Sequence, residues 1–306
     1  MLQKILFKHF FICLFFIIIH SNVFPQVDSA YINPYPINLT TKIYLTSKFN
    51  TILYRSPMQT MTLEPNSPLG IGLGVSWKKF GMSFSYGFGF MRNQKKGNTK
   101  SFDIQINNYG RKIVLDIMVQ IYKGFYEDNH SANKYKIYKD LSTVRIGAFG
   151  QYIFNSRKFS YNAAFNLKEQ QLLSAGSWLL GGGIYFNRID FGTDTLGKYE
   201  KQNNFQLGPS GGYAYTWVIK KNFFITLSLS VGVNIGVNME DHDFMIAPTA
   251  TPRFAMGYNG KSWGVNMSYV NHLIYTVISE RKKIGSSTGN LQLAFIKRFI
   301  IPQRKK

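Results

Sequence analysis

The sequence predicts an all-β fold: a single antiparallel transmembrane β-barrel of about 12–14 strands behind an N-terminal signal peptide. Three observations carry this. From Phe223 to Asn238 every odd position (Phe223, Ile225, Leu227, Leu229, Val231, Val233, Ile235, Val237) is apolar, and every even position after Phe224 is Thr, Ser, Gly or Asn. Successive side chains leave a strand on opposite faces, so one flank suits hydrocarbon and the other suits water or small polar packing. The stretch is longer than most soluble strands and exceeds the roughly 9–11 residues that cross a bilayer at a tilt. Second, 16% of residues are aromatic, with 26 Phe and 19 Tyr, as expected of rings gathered at membrane interfaces. Third, beyond the N-terminal region no window approaches 18 consecutive apolar residues, so a membrane crossing has to be made by strands.

The chain in order begins with a secretory signal over residues 1–25: Lys4 and Lys8, then the apolar run Phe10 to Ile19, with cleavage expected between Ser21 and Gln26. The single cysteine, Cys13, lies in that run, so the mature chain has no disulfide framework. Residues 26–38, punctuated by Pro and Asn, read as a periplasmic lead-in. The barrel is expected over 39–300 and a basic tail over 301–306. Thr40–Tyr54 is the first strand, and the region around Ser56-Pro57 and Pro65–Pro68 is rich in turn residues.

Two hairpins follow. Leu69 to Trp77 and Met82 to Phe90 alternate large apolar residues with Gly and Ser; a turn at Phe80-Gly81 would set Trp77 opposite Phe84 and Val75 opposite Tyr86. Phe102, Ile104 and Ile106 alternate with Asp103, Gln105 and Asn107, and after Tyr109-Gly110 the alternation resumes at Ile113. A tight turn there would oppose Asp103 to Asp116 on the inner face and draw in a cation such as Arg145 or Arg298. Further strands are expected at Ser142–Phe154, Phe159–Leu167, Ser174–Asn187, Phe205–Val218, Phe223–Asn238, Pro252–Tyr258, Trp263–Val277 and Asn290–Ile300. The resulting odd total conflicts with the even number usual for outer-membrane barrels, and the misfit is expected between Phe159 and Asn204.

The net charge of +21 comes from 36 basic and 15 acidic residues. The basic residues lie mostly between strands, not along one face, which disfavours nucleic acid and suits rims facing anionic headgroups, including lipopolysaccharide. The expected partners are therefore outer-membrane lipids and lipopolysaccharide, with the barrel-assembly machinery during insertion and no nucleic acid. No cofactor or metal is expected.

Several phrases carry a family resemblance: Tyr31–Pro36, Leu69–Ser76, Gln120–Tyr126, Gln151–Asn155, Ser174–Ser177 and Gly212–Thr216. Together they resemble a family of uncharacterised outer-membrane barrels of Bacteroidetes-type bacteria, the domain of unknown function forty-four twenty-one. The resemblance spans most of the mature chain and implies fold and compartment. It carries no catalytic residue across, and the family has no assigned role. The stretch after Phe299, Ile-Ile-Pro-Gln-Arg-Lys-Lys, departs from the aromatic ending common in barrels.

Two loops could carry chemistry. Glu127, Asp128 and His130 form one; Glu240, Asp241, His242 and Asp243 form the other. Carboxylates with His can activate water or bind a cation, although such residues are also ordinary loop tips. Ser268 and His272 share a strand face but stand four residues apart, too far for a hydrogen bond, and read as polar lumen residues. The Gly alternations lack the strand–turn–helix setting of a phosphate loop. Lumen-facing candidates are Asp103, Gln105, Asn107, Asp116, Gln120, Tyr122, Arg145, Gln151, Gln292 and Arg298. The expected function is non-enzymatic: a passive or structural barrel, or a narrow channel for small polar solutes. The alternatives are a rim hydrolase or lipid-modifying enzyme built on the acidic loops, and an adhesin-like scaffold using Gly124–Asp140 and Arg188–Gln202.

Overall fold

A computed structural model describes residues 27–35, 39–55, 60–77, 80–129, 134–192, 201–240, 242–279 and 282–299; the signal segment, His130 and Asp241 lie outside them. The strands are β1 (Ile32–Pro34), β2 (Leu39–Arg55), β3 (Thr60–Glu64), β4 (Gly70–Trp77), β5 (Phe80–Gly87), β6 (Lys100–Tyr109), β7 (Ile113–Asn129), β8 (Lys134–Ile153), β9 (Glu169–Gln171), β10 (Ala175–Asp190), β11 (Gln202–Ile219), β12 (Phe223–Asn238), β13 (Phe244–Asn259), β14 (Trp263–Ser279) and β15 (Lys282–Phe299). The alternation read in β12 holds: Val231 and Ile235 are each 56% exposed on the outer face, while Thr226, Ser230 and Asn234 are buried inside. An apolar exterior around a polar interior is the inverse of a soluble barrel.

The sheet closes on itself because β2, the first long strand, pairs along its length with β15, the last. The closed ring holds ten antiparallel strands: β2, β15, β14, β13, β12, β11, β10, β8, β7 and β3. Short turns at 110–112, 220–222 and 260–262 define one end, called here the turn end. At the opposite, loop end, little β3 bridges β2 and β7. Nearer the turn end, β4, β5 and β6 occupy the span below β3. Among the described residues that tier holds twelve strands (β2, β4 to β8 and β10 to β15), but β5 pairs only with β4, and β6 only with β7. A ring of ten above a tier of twelve is why a single strand number could not be read from the pattern.

Outward aromatic rings gather at the turn end. Phe223 packs on Tyr258, Tyr258 on Trp263 and Trp263 on Phe295, with centroids 4.6–6.2 Å apart, and Tyr215 meets Trp217 at 4.7 Å. Rings in such a belt keep an apolar body and a polar tip at a wet boundary.

The structure corrects three expectations. Phe159–Leu167 is not a wall strand. Residues 154–174 turn into the barrel, where Phe159, Tyr161, Ala163, Ala164 and Phe165 are all buried and Asn162–Asn166 make one wide helical turn. The alternating aromatics look like a strand, but both neighbouring alanines are buried too, so no flank is left for lipid. Trp77 opposes Phe80, not Phe84, and Val75 opposes Met82, not Tyr86. Asp103 opposes Gln120 and Asn107 opposes Asp116, so the expected carboxylate pair does not form. Both register errors span an even number of residues, which leaves every side chain on its proper face and so escapes detection by pattern. Three strand starts were also placed late: β8 begins at Lys134, β13 runs through Pro248 and Pro252 from Phe244, and β15 begins at Lys282.

Candidate functional site

The lumen is filled in three layers. At the turn end lies the inward-folded segment 154–174. Tyr109 stacks on two of its rings, with centroids 5.0 Å from Phe165 and 6.0 Å from Tyr161, and Phe159 meets Tyr161 edge-on at 5.0 Å. A helical turn inside a barrel leaves backbone groups that need partners, and the wall provides them. Asn266 Nδ2 donates to the carbonyl of Ala164 at 3.1 Å, and Asn259 Nδ2 to those of Ala163 at 3.2 Å and Glu169 at 2.9 Å. Arg298 Nε donates to Leu167 O at 3.0 Å, and its Nη1 to Gly260 O at 2.5 Å. Glu169 accepts from Arg111 and from Ser160 Oγ. From outside, β1 pairs with β9, and Tyr35 donates its hydroxyl to Asn259 Oδ1 at 3.0 Å beneath the Arg298 guanidinium. Burial pushes the Tyr35 phenol up to about 12, against the opposing charge of Arg298. Burial also lowers Lys168, which sits on this segment.

The middle layer is polar and charged. Arg253 Nη2 meets Asp116 Oδ2 at 2.5 Å, with side-chain exposures of 0% and 3%, and His272 Nε2 stands 3.6 Å from the same carboxylate oxygen. The Arg253 guanidinium lies 5.6–5.8 Å from the rings of Tyr109, Phe149 and Tyr161. A cation desolvated among ring faces keeps part of the stabilisation that water would have given. Asp103 forms a second knot: Tyr122 OH donates to it at 2.5 Å, Gln120 Nε2 at 2.8 Å and Gln105 Nε2 at 3.3 Å, and Lys48 Nζ lies 3.2 Å away. Gln120 in turn accepts from Thr288 at 2.9 Å, and Arg145 donates to Asn187 Oδ1 at 2.7 Å. Gln151 donates to Ser230 Oγ at 2.5 Å.

The third layer closes the loop end. Ile52, Tyr54, Met61, Leu63, Phe125, Tyr138, Leu141 and Ile189 form one buried apolar cluster on the neighbouring strands β2, β3, β7, β8 and β10.

Every lumen candidate named from the sequence therefore faces inward, but the partners differ. Asp103 pairs with Lys48 and Asp116 with Arg253; neither pairs with Arg145, nor with Arg298, which holds the inward-folded segment instead. Arg253 was missed. The signal was present as the lone charged residue of β13, at an inward position in line with Ala247, Thr249, Thr251 and Ala255. Ser268 and His272 both point inward as buried residues, and His272 contacts Thr251 Oγ1 at 3.5 Å and the edge of Phe149, not Ser268. The two acidic loops are not brought together: Asp128 lies in the last residues of β7, next to its final Asn129, while His242 and Asp243 follow β12, with β8, β10 and β11 between those strands. Glu240 binds the neighbouring Asn203 side chain at 2.6 Å. Among the described residues no group of three His, Cys, Asp or Glu is placed to hold a metal.

Two chambers of about 360 and 580 Å³ lie beside the packed interior, along the unpaired edges of β5 and β6. They exist because the inward positions of the β4–β5 hairpin are Gly70, Gly72, Gly74, Ser76, Ser83 and Ser85. At Gly72 a Cβ would lie 2.2 Å from the Tyr44 ring, which fills that space from β2.

The family described as Domain of unknown function (DUF4421) matches residues 26–299 of the chain. No curated protein matches it in sequence. Among solved structures it is similar to the outer-membrane protein OmpT of Vibrio cholerae (9% identity; 86% of this chain and 100% of that one; TM-score 0.29). It is also similar to the toluene transporter TodX of P. putida (8%; 90% and 94%; TM-score 0.20) and to the attachment invasion locus protein Ail of Yersinia pestis (9%; 85% and 100%; TM-score 0.15). At those identities and scores the likenesses assign nothing further to this chain.

Proposed function

The chain belongs to that family of unknown function, and on this premise we propose that it is an integral outer-membrane barrel whose axis is closed by its own chain. In this reading it is a structural or envelope-contacting barrel, without catalysis, and not an open pore. The observation that supports it is the inward-folded segment, whose aromatic core and backbone are held by Asn259, Asn266 and Arg298 of the wall. The apolar exterior and the aromatic belt place hydrocarbon around the strands, and the short-turn end faces the periplasm as in other such barrels. Its partners are lipid and, at the basic loop end, anionic headgroups of the outer leaflet.

Planar-bilayer recording of the refolded mature chain tests this. The intact protein is electrically silent, and alanine at Asp103 or Arg145 leaves it silent because neither residue holds the inward-folded segment. A steady ohmic current from the intact chain refutes the proposal.

A further inference from the structure

We propose that the gap between β5 and β6 is a lateral binding slot for an anionic amphiphile with a single acyl chain, its headgroup held by Lys42 and Lys168 and its tail lying between the two strand edges. The first support is the backbone. The edge of β5 and the facing edge of β6 have no strand partner among the described residues. At about 3.3 Å per residue, the eight residues of β5 run about 26 Å, close to the thickness of a bilayer's hydrocarbon. Open sheet edges are not left bare to lipid, since each unpaired N–H or C=O there is costly.

The second support is charge. The smaller chamber is lined by Lys42 and Lys168 together with Thr40, Ser76, Ser83, Asn107, Asn108 and Asn166, and among the described residues no carboxylate lines it. Two ammonium groups sharing a half-enclosed space with hydroxyls and amides call for an anion that brings several acceptor oxygens. The third is the character of the lips. Met82 and Phe84 on β5 are 76% and 74% exposed, and Phe102, Ile104 and Ile106 on β6 also stand outward. Polar lining within and apolar lips without match a molecule that is charged at one end and hydrocarbon at the other. The chambers also fall within the roughly 300–1,000 Å³ usual for ligand sites.

This inference does not depend on the closed axis. A conducting lumen would overturn the previous section and leave the slot intact.

The test uses native mass spectrometry of the delipidated, refolded mature chain with three probes of equal tail: oleate, oleoyl lysophosphatidate and monoolein. One or both anionic probes bind, and which of them does identifies a carboxylate or a phosphate source; monoolein does not bind. The Lys42→Gln/Lys168→Gln variant, shown to be folded by its heat-modifiable gel migration, loses at least about tenfold in affinity for the anionic probe. Among residues 82–86 and 101–107, the alternate backbone amides that point away from β4 and β7 exchange readily without probe and are slowed by it. Equal binding of monoolein, or no binding of either anion, overturns the proposal. So does unchanged affinity in the double lysine variant. Strong exchange protection of those amides without probe, as expected if β5 pairs with β6 or with a second copy of the chain, overturns it as well. Ser83→Phe, which fills the chamber from β5 without altering charge, also abolishes probe binding; retained binding would count against the slot.

Discussion

Arg253→Met tests how the middle layer is held together. In the parent, the Asp116 carboxylate is 3% exposed and Arg253 Nη2 is its closest cation, at 2.5 Å. Removing the guanidinium leaves His272 Nε2 at 3.6 Å as the nearest basic group. A buried charge stripped of its partner costs about 3–5 kcal/mol, a factor of roughly 10² to 10³ or more in the unfolding equilibrium. The pair itself is only partly satisfied: Asp116 Oδ1 and Arg253 Nε and Nη1 have no hydrogen-bond partner. Removing both charges should therefore be far gentler, and Asp116→Asn with Arg253→Met should fall within about 1–2 kcal/mol of the parent, because a paired buried charge returns little net stability. The assay is reversible urea unfolding of the refolded barrel in lipid vesicles, followed by tryptophan fluorescence, with the two single variants completing the cycle. A cost under about 1 kcal/mol for Arg253→Met, or a double variant no better than Arg253→Met alone, would refute this reasoning.

Three other outcomes are expected. Gly124, at the bulge between Lys123 and Phe125, has φ +90°, and a Cβ there would lie 2.4 Å from the Asn98 carbonyl, so Gly124→Ala costs about 1–3 kcal/mol in the same unfolding assay. Asn266→Ala strands the carbonyls of Ala164 and Phe165, and limited proteolysis should cut within residues 159–167 of the variant while the wall strands stay resistant; an unchanged digest would count against the anchoring role. The Tyr35 phenol is raised by burial, so its protonated form stabilises the folded state: that contribution is complete below the ordinary pKa near 10 and is lost as pH rises through about 12. Release of the lead-in, read by proteolysis between Asp28 and Tyr35, should therefore steepen over that window in the parent and not in Tyr35→Phe.

Much of the barrel was legible because lipid and lumen impose opposite demands on alternate residues. On β6, β7 and β8 that rule sets Asp103, Asp116, Gln120, Tyr122, Arg145 and Gln151 apart from the apolar flank. It could not see even register shifts, so Asp103 and Asp116 were placed opposite each other when each has another partner. Nor could it pair Asp116 with Arg253, since the two are 137 residues apart and meet only across the closed lumen. The inward-folded segment escaped for a different reason: Phe159, Tyr161 and Phe165 alternate as wall residues do, and only the barrel's curvature shows that they point to its axis. The slot was hidden because it arises from a missing ladder and from residues without side-chain bulk.

The pairing of β1 with β9 and the grip of Arg298 on Leu167 join the two extremes of the described chain to its middle. Arg298 stands on β15, the strand that also closes the ring against β2, so the stave that seals the wall carries one of the clasps of the inward-folded segment. Seam and plug thus share one strand, and a chain without β15 would lose the seal of its wall and this clasp together.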